Sequence, residues 1–253
     1  MEFLEQLYGL GPGLAKQLYK RLIQENLITA SSSPGDIWTA LRHPAIFPDL
    51  PIATRIDLVE RPDKLIPHEV IQVLDRVLRS RVDRIKFDIA GSYRRRKPIS
   101  RDVDLVMSRG SWKTSLSVWK SFIKQIHGNR YVKFHSPFAG GDNKLSVLVD
   151  VFVSSAVVRS ITNSHPDIHA KRKWKLKVDV FCTPPLEYMF MLLYATGSGQ
   201  FNIMMRAQAK RHGYMLNQKG LFLRSSGKRV SVKNEKELFN ILKIGFRKPE
   251  NRT

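Results

Sequence analysis

A chain of 253 residues, 42% of them hydrophobic, has the material for one large domain or two small ones built on an ordinary globular core. Lysine and arginine number 43 against 22 acidic residues, a formal charge of +21 spread along the chain, and so basic a folded surface selects a polyanion, nucleic acid first and anionic membrane second. No apolar run approaches the ~20 residues that span a bilayer, and the start MEFLEQLYGL carries no basic n-region or cleavage site, which argues against membrane insertion and secretion and for an intracellular location. The single cysteine, Cys182, lies in the apolar run with Val178, Val180 and Phe181, cannot form an internal disulfide, and reads as a buried thiol in a reducing compartment.

In chain order, residues 1–65 read as short helices broken by turns: Phe3 to Leu7, the hairpin Gly9-Leu10-Gly11-Pro12-Gly13, Leu14 to Ile23, and Ile37 to Leu41. From Pro67, apolar residues at helical spacing run through His68 to Leu78, and strand-like runs follow at Phe87 to Ala90, Val103 to Met107 and Leu145 to Val153. The stretch Ser154 to Lys175 is polar, basic and aperiodic and is expected to be a long loop. Within it, His165, Asp167 and His169 lack an established ligand spacing and Lys171-Arg172-Lys173 reads as a solvated charge run. Leu176 to Cys182 returns to strand and Pro184-Pro185 closes it. An apolar helix from Leu186 through Tyr194, a break at Gly197-Ser198-Gly199, a basic helix from Phe201 to His212 and short elements complete the chain, with no internal repeat.

The chemistry concentrates in Asp102-Val103-Asp104. Alternate residues of a strand share a face, so both carboxylates point one way while Val103 turns into the core. Anions a few ångströms apart raise each other's pKa unless a cation holds them ionised, and hard oxygen ligands suit magnesium. Seven to eleven residues upstream of Asp102, Gly91-Ser92-Tyr93-Arg94-Arg95 combines a small-residue turn, whose backbone N–H groups are open to an anion, with two arginines that supply bidentate donors. Phosphate beside metal points to a nucleotide. A third carboxylate has two candidates, Asp150 in Val149-Asp150-Val151-Phe152 and Asp179 in Val178-Asp179-Val180-Phe181, and pattern alone leaves both open.

These residues resemble family X DNA polymerases, the group containing polymerases beta, lambda and mu and terminal transferase. Gly91-Ser92-Tyr93-Arg94-Arg95 with Asp102-Val103-Asp104 is similar to the family's G-S-x-R-R and D-x-D signature, and Tyr194-Ala195-Thr196-Gly197-Ser198 with Phe201-Asn202 and Arg206 to its Y-F-T-G-S, F-N and R series. The resemblance implies an α+β architecture: a helix-hairpin-helix DNA-binding subdomain at 1–65, a catalytic nucleotidyltransferase palm sheet with helices at 66–183, and a small carboxy-terminal α+β nucleotide-selection subdomain at 184–253. It implies template-directed addition of dNTPs to a primer 3′-hydroxyl with two magnesium ions, manganese being an alternative. Asp102, Asp104 and Asp179 are the implied ligands, Asp179 standing the family's fifteen residues before Tyr194. Gly91, Ser92 and Arg95 would bind the triphosphate, Asn202 the incoming base and Tyr194 the sugar side, with Gly197 also nucleotide-binding, while Arg206 would meet the template. Leu7-Tyr8-Gly9-Leu10-Gly11-Pro12-Gly13 resembles the family's DNA-binding hairpin, in which Gly9, Gly11 and Gly13 present backbone to a phosphate and the carbonyls of Glu5, Leu7 and Leu10 hold sodium or potassium. The implied partners are primer–template or gapped DNA and a dNTP, with no membrane, for a monomer in the nucleus or another DNA-containing compartment.

Departures from the family pattern shift these expectations. Arg101 stands where beta and lambda carry glycine, and a cation there would hold the primer end or triphosphate and favour template-poor synthesis. Ala195 replaces an aromatic residue, Lys177 an arginine that braces the aspartates, and Leu65-Ile66-Pro67-His68-Glu69 a more basic segment. The chain begins where the family's amino-terminal lyase domain would have ended, so lyase activity is not expected. Two other readings compete: a template-independent nucleotidyltransferase, which Arg101 supports, and a non-catalytic DNA-binding protein relying on +21 and the hairpin.

Overall fold

The architecture, from a computed structural model, is described for residues 2–108, 110, 114–141 and 143–252, and the chain divides into two compact units, Met1–Pro62 and Asp63–Thr253. The first unit is helical: α1 (Glu2–Glu5), α2 (Pro12–Gln24), α3 (Pro34–Ala40) and α4 (Ile52–Glu60). Pro12 opens α2 in the first turn, where its missing N–H leaves no bond unmade, and a reciprocal Ser33–Asp36 capping box opens α3. Leu4, Leu7, Leu10, Leu18, Leu22, Ile37, Leu41 and Leu58 form the core of this unit. Helix α4, absent from the sequence-based reading, fixes the hairpin. Asp57 accepts a hydrogen bond from the Tyr8 N–H at 3.0 Å, and Thr54 Oγ1 donates to the Tyr8 carbonyl at 2.7 Å.

The second unit contains β1 (Ile66–Pro67), α5 (His68–Arg81), β2 (Phe87–Ile89), α6 (Gly91–Arg94), β3 (Ile99–Ser100), β4 (Val103–Ser108), α7 (Ser115–Ile126), β5 (Val132–Phe134), β6 (Ala139–Gly140), β7 (Lys144–Phe152), α8 (Ser155–Ser164) and β8 (Lys173–Thr183). Then come α9 (Tyr188–Thr196), α10 (Gly199–Arg211), β9 (Tyr214–Asn217), β10 (Gly220–Leu223), β11 (Arg229–Val230) and α11 (Glu235–Ile241). Among the described residues the main sheet has six strands in the order β2-β4-β8-β7-β5, with β6 on β7, and β4 runs parallel to β8. Strand alternation divides its faces. Val103, Leu105 and Met107, Val147, Val149 and Val151, and Trp174, Leu176, Val178, Val180 and Cys182 pack against α5, α7 and Ile161 of α8. The opposite face carries Asp104, Ser146 and Asp179. There Val106 and Phe181 are covered by Tyr188 and Met191 of α9.

Helix α9 is apolar all round because it is buried on two sides: Tyr188 and Met191 meet the sheet, while Phe190 and Leu193 join the core of α10, α11 and the β9–β11 sheet. The architecture is α+β, as expected, with the boundary between the compact units at Pro62/Asp63.

One expectation is corrected. The stretch from Ser154 to Lys175 is not a long loop, since it contains α8 and the first three residues of β8. The Ser154 hydroxyl caps the helix by accepting from the Val157 N–H, and Val157, Val158 and Ile161 form a helical stripe against the core. His165 follows, with Nε2 3.4 Å from Glu69 Oε2. The serines and threonines between the apolar residues mask a helix whose stability comes from docking. Residues Lys173 and Lys175 belong to the strand because Trp174 and Leu176 alternate with them into the core. Replacing Ser154 by Ala is expected to lower stability by about 1 kcal/mol, and Ile161→Ala by about 2–4 kcal/mol, in urea unfolding. Neutral outcomes for both would mean that α8 does not dock.

Candidate active site

Two acidic residues are brought opposite one another by the parallel pairing of β4 with β8, in which Asp104 is aligned with Asp179. The antiparallel pairing of β7 with β8 places Ser146 beside Asp179 on the same face. Asp102 stands one residue before β4 and joins the cluster. Asp179 is held on all sides: Ser146 Oγ donates to Oδ1 at 2.6 Å, and the Lys177 and Lys144 ammoniums lie 2.9 and 3.0 Å from Oδ2. Asp150, the rival third carboxylate, is four residues along β7 from Ser146, buried between His135 and Lys173 at 3.2 and 3.0 Å. It does not enter the cluster.

The electrostatics follow from crowding. Burial, then the charges of Asp102 and Asp179, push the Asp104 carboxyl up to about 7. Burial also raises Asp102. It acts against ionisation of Asp179 too, but the Lys177 charge and the Ser146 hydrogen bond outweigh it and hold that carboxyl below its ordinary range. Lys177, placed two residues before Asp179 and itself buried, thus neutralises one carboxylate and leaves the other pair short of positive charge. Among the described residues no three acidic, histidine or cysteine groups are drawn close enough to hold a metal as they stand. The hard oxygens of Asp102 and Asp104, desolvated and forced toward protonation, are nevertheless a donor set that a divalent magnesium or manganese ion would satisfy.

Beside the carboxylates, the Gly91-Ser92-Tyr93-Arg94 segment forms a single helical turn, α6, rather than an open loop. Gly91 has φ +60° and a Cβ there would overlap Asp104 Oδ2, so glycine is required twice over. The Ala90 N–H donates to the Asp104 carbonyl at 2.7 Å and locks the turn to β4. Ser92 Oγ donates to Ser100 Oγ at 2.7 Å. Arg95 donates through Nη1 to the Thr196 carbonyl, while its buried Nε has no partner, a donor suited to a phosphate oxygen. Arg101 is exposed next to Asp102 and its charge acts on that carboxyl.

The carboxy-terminal segment is tied to the same turn. Arg94 Nη1 donates to Thr196 Oγ1 at 2.8 Å and to Glu235 Oε1 at 2.9 Å. The second oxygen of Glu235 accepts from Arg252, a fully buried guanidinium that lies over the rings of Phe201 and Phe239. Burial disfavours the Glu235 charge, but Arg252 and Arg94 hold its carboxyl below the ordinary range. Sequence reasoning missed Ser146, Lys144, Glu235 and Arg252, whose partners lie 17 to 141 residues away.

Tyr194, Asn202 and Arg206 line one pocket with Phe190, Leu193, Met205, Leu216, Asn217 and Gln218. Asn202 Nδ2 donates to the Tyr194 carbonyl at 2.8 Å rather than projecting freely. Gly197 has φ +64° and a Cβ there would press on Arg95 Nη1 at 3.3 Å, so the break between α9 and α10 abuts the end of the Gly91–Arg95 turn. In the first unit, Gly9 has φ +85° and lies against Ala53 and Thr54, whereas Gly11 and Gly13 face open space. The Leu7 and Leu10 side chains are buried beneath the hairpin, and the Leu7 carbonyl accepts from the Leu10 N–H at 3.3 Å. Glu5 ends α1 with its side chain exposed.

Comparison with known proteins agrees with this geometry. Residues 191–253 match the family described as DNA polymerase beta thumb. DNA polymerase lambda of Arabidopsis thaliana is 25% identical over 265 aligned positions covering 98% of this chain, which spans 45% of that relative's length. The crystal structure of Leishmania infantum polymerase beta in a ternary P/T complex superposes with a TM-score of 0.71 at 25% identity, covering 99% of this chain and 96% of that one. The ternary gap complex of the same polymerase gives 0.72 at 25% identity, with 98% and 88% covered.

The raised Asp104 carboxyl makes a testable link to stability. Its folded pKa near 7 lies above an unfolded value of about 3.9, so between these pH values the folded protein binds the extra proton. Its contribution is full below about pH 4 and is lost as pH rises through about 7. Without divalent ions, Asp104→Asn is therefore expected to be more stable than the native chain at pH 8 by about 1–3 kcal/mol, with the difference shrinking toward pH 5. Millimolar magnesium should raise the melting temperature of the native protein and leave the variant unmoved. A native protein indifferent to magnesium in thermal unfolding would contradict metal binding at these carboxylates.

Proposed function

We propose that the chain is a family X DNA polymerase, which adds dNTPs to a primer 3′-hydroxyl on gapped or primer–template DNA and serves short gap filling or end joining. The observation that carries the proposal is the alignment of Asp104 with Asp179 across β4 and β8, directly beside the Gly91 turn. Asp102 and Asp104 would hold two magnesium ions between them, and Asp179 would complete the site nearer the primer. Bound there, magnesium makes a hydroxyl more acidic and neutralises triphosphate charge. Lys144, half-exposed, is the contact on Asp179 most readily exchanged.

The remaining work is positional. Gly91 and Ser92 would offer backbone and hydroxyl donors to the triphosphate, and the unpartnered Nε of Arg95 would take a phosphate oxygen. Arg101 would add charge at the same edge. Tyr194 and Asn202 would bound the sugar and base of the incoming nucleotide, and Arg206 the template side of the pair. The Gly9–Gly13 hairpin would bind a DNA phosphate, with sodium or potassium on the Glu5, Leu7 and Leu10 carbonyls. Occupation of the Leishmania polymerase beta structures by primer–template and gapped DNA supports DNA as the partner. No described helix is long and apolar enough to cross a membrane, and the charge of +21 supports a DNA-containing compartment such as the nucleus.

Primer extension on a one-nucleotide gap separates the two candidate carboxylates. Asp179→Asn is expected to reduce kcat by about 10³-fold, some 4 kcal/mol of transition-state stabilisation, while Asp150→Asn stays within about tenfold. An equal collapse in both variants would return Asp150 to the site. Addition by the native chain that ignores the template base would shift the function to terminal transfer, and no addition would leave DNA binding alone.

A further inference from the structure

Next to the proposed nucleotide pocket, α10 and the β9–β10 hairpin line an open groove of about 470 Å³. It is lined by Arg206, Lys210, Tyr214, Met215, Leu223 and Arg224, among others, and by no carboxylate among the described residues. Arg206 and Lys210 are one helical turn apart on α10 and share a face. Tyr214 and Leu223 are directly opposed across the hairpin, and the Arg224 N–H donates to the Gly213 carbonyl at 2.9 Å, which sets Arg224 at the groove's edge. The apolar lining is open: Met215 is 49% and Leu223 37% exposed.

Three cations around Tyr214 and Leu223, which share one face of the hairpin, fit a ligand with anionic linkages and flat apolar faces, which is single-stranded nucleic acid. Duplex DNA keeps its base faces stacked and has no use for such a surface. The groove is continuous with the nucleotide pocket, because Arg206 and Leu216 line both. A strand leaving the template position therefore enters it without crossing any other surface of this unit. We propose that this groove binds the unpaired template strand of DNA just beyond the templating base, with Lys210 and Arg224 on its phosphates and Tyr214 and Leu223 under its bases. This assignment rests on the polymerase reading, since it needs a template strand at Arg206.

The test is equilibrium binding by fluorescence anisotropy, without nucleotide or metal, to primer–template duplexes that are blunt or carry a template 5′ overhang of five deoxynucleotides. The native protein is expected to bind the overhang substrate about three- to tenfold more tightly than the blunt one, as one or two stacked or charge-paired nucleotides would give. Lys210→Gln with Arg224→Gln should abolish that increment, leave the blunt-duplex Kd within about twofold, and flatten the salt dependence for the overhang substrate alone by about 1.4 in log–log slope, about 0.7 for each phosphate no longer neutralised. Leu223→Ser should lose the increment without changing the salt slope, which separates base contact from charge. An increment that survives all three substitutions, or none in the native protein while blunt duplex is bound, would overturn the groove assignment and leave the polymerase reading intact. Failure to bind either duplex would count against the polymerase reading itself.

Discussion

The parallel register of β4 on β8 is the constraint from which the site follows. It aligns Asp104 with Asp179, and the neighbouring antiparallel pairing brings Ser146 to the same place. A slip of one residue on either strand would turn a carboxylate into the apolar face against α5 and α7, so burial of Val103, Leu105, Val178 and Val180 enforces the register. The hydrophobic pattern therefore fixes the acidic cluster, and the cluster in turn works against the fold. Asp104 is pushed toward protonation by the burial its neighbours require. Such strain is what a divalent ion at the proposed site would relieve.

Around that cluster the structure distributes positive charge unequally. Lys177 and Lys144 pair directly with Asp179, while Asp104 lies against the Gly91 turn. Gly91 brings that turn so near Asp104 that no side chain fits between them. A phosphate on the turn and a metal on the carboxylates would thus be near neighbours, each relieving the other's charge. The Arg94–Glu235–Arg252 network joins the same turn to Arg252 near the end of the chain, and Arg94 also donates to Thr196 at the end of α9. Removing one member of such a buried network leaves a desolvated charge, so its members act as a unit.

The strands and the site differ in how far the sequence exposes them. Alternation at Val103–Asp104–Leu105 is a local signal, and it places Asp102 and Asp104 on one face whatever their strand pairs with. Asp150 and Asp179 sit in nearly the same local sequence, Val-Asp-Val-Phe, so local pattern cannot separate them; only register does, by setting Ser146, not Asp150, opposite Asp179. Helix α8 is hidden because Val157, Val158 and Ile161 are diluted by serine, threonine and asparagine, residues that favour caps and turns. Arg252 and Glu235 carry no local signal at all, since an arginine near a chain end is ordinarily solvated.

Helix α9 connects these levels. Its unbroken apolar sequence gives no amphipathic face, and both of its sides are used: one covers the end of the sheet at Val106 and Phe181, the other supports α10. Its last residues, Tyr194 and Thr196, reach respectively the nucleotide pocket and the Arg94 network. A shift of α10 that adjusts the pocket around Asn202 and Arg206 must therefore be transmitted through α9 and Thr196 to the turn that carries Gly91 and Arg95. On the proposed reading, recognition of the base pair and grip on the phosphates would in this way be joined through one buried helix, with Asn202, which donates to the Tyr194 carbonyl, as the first link.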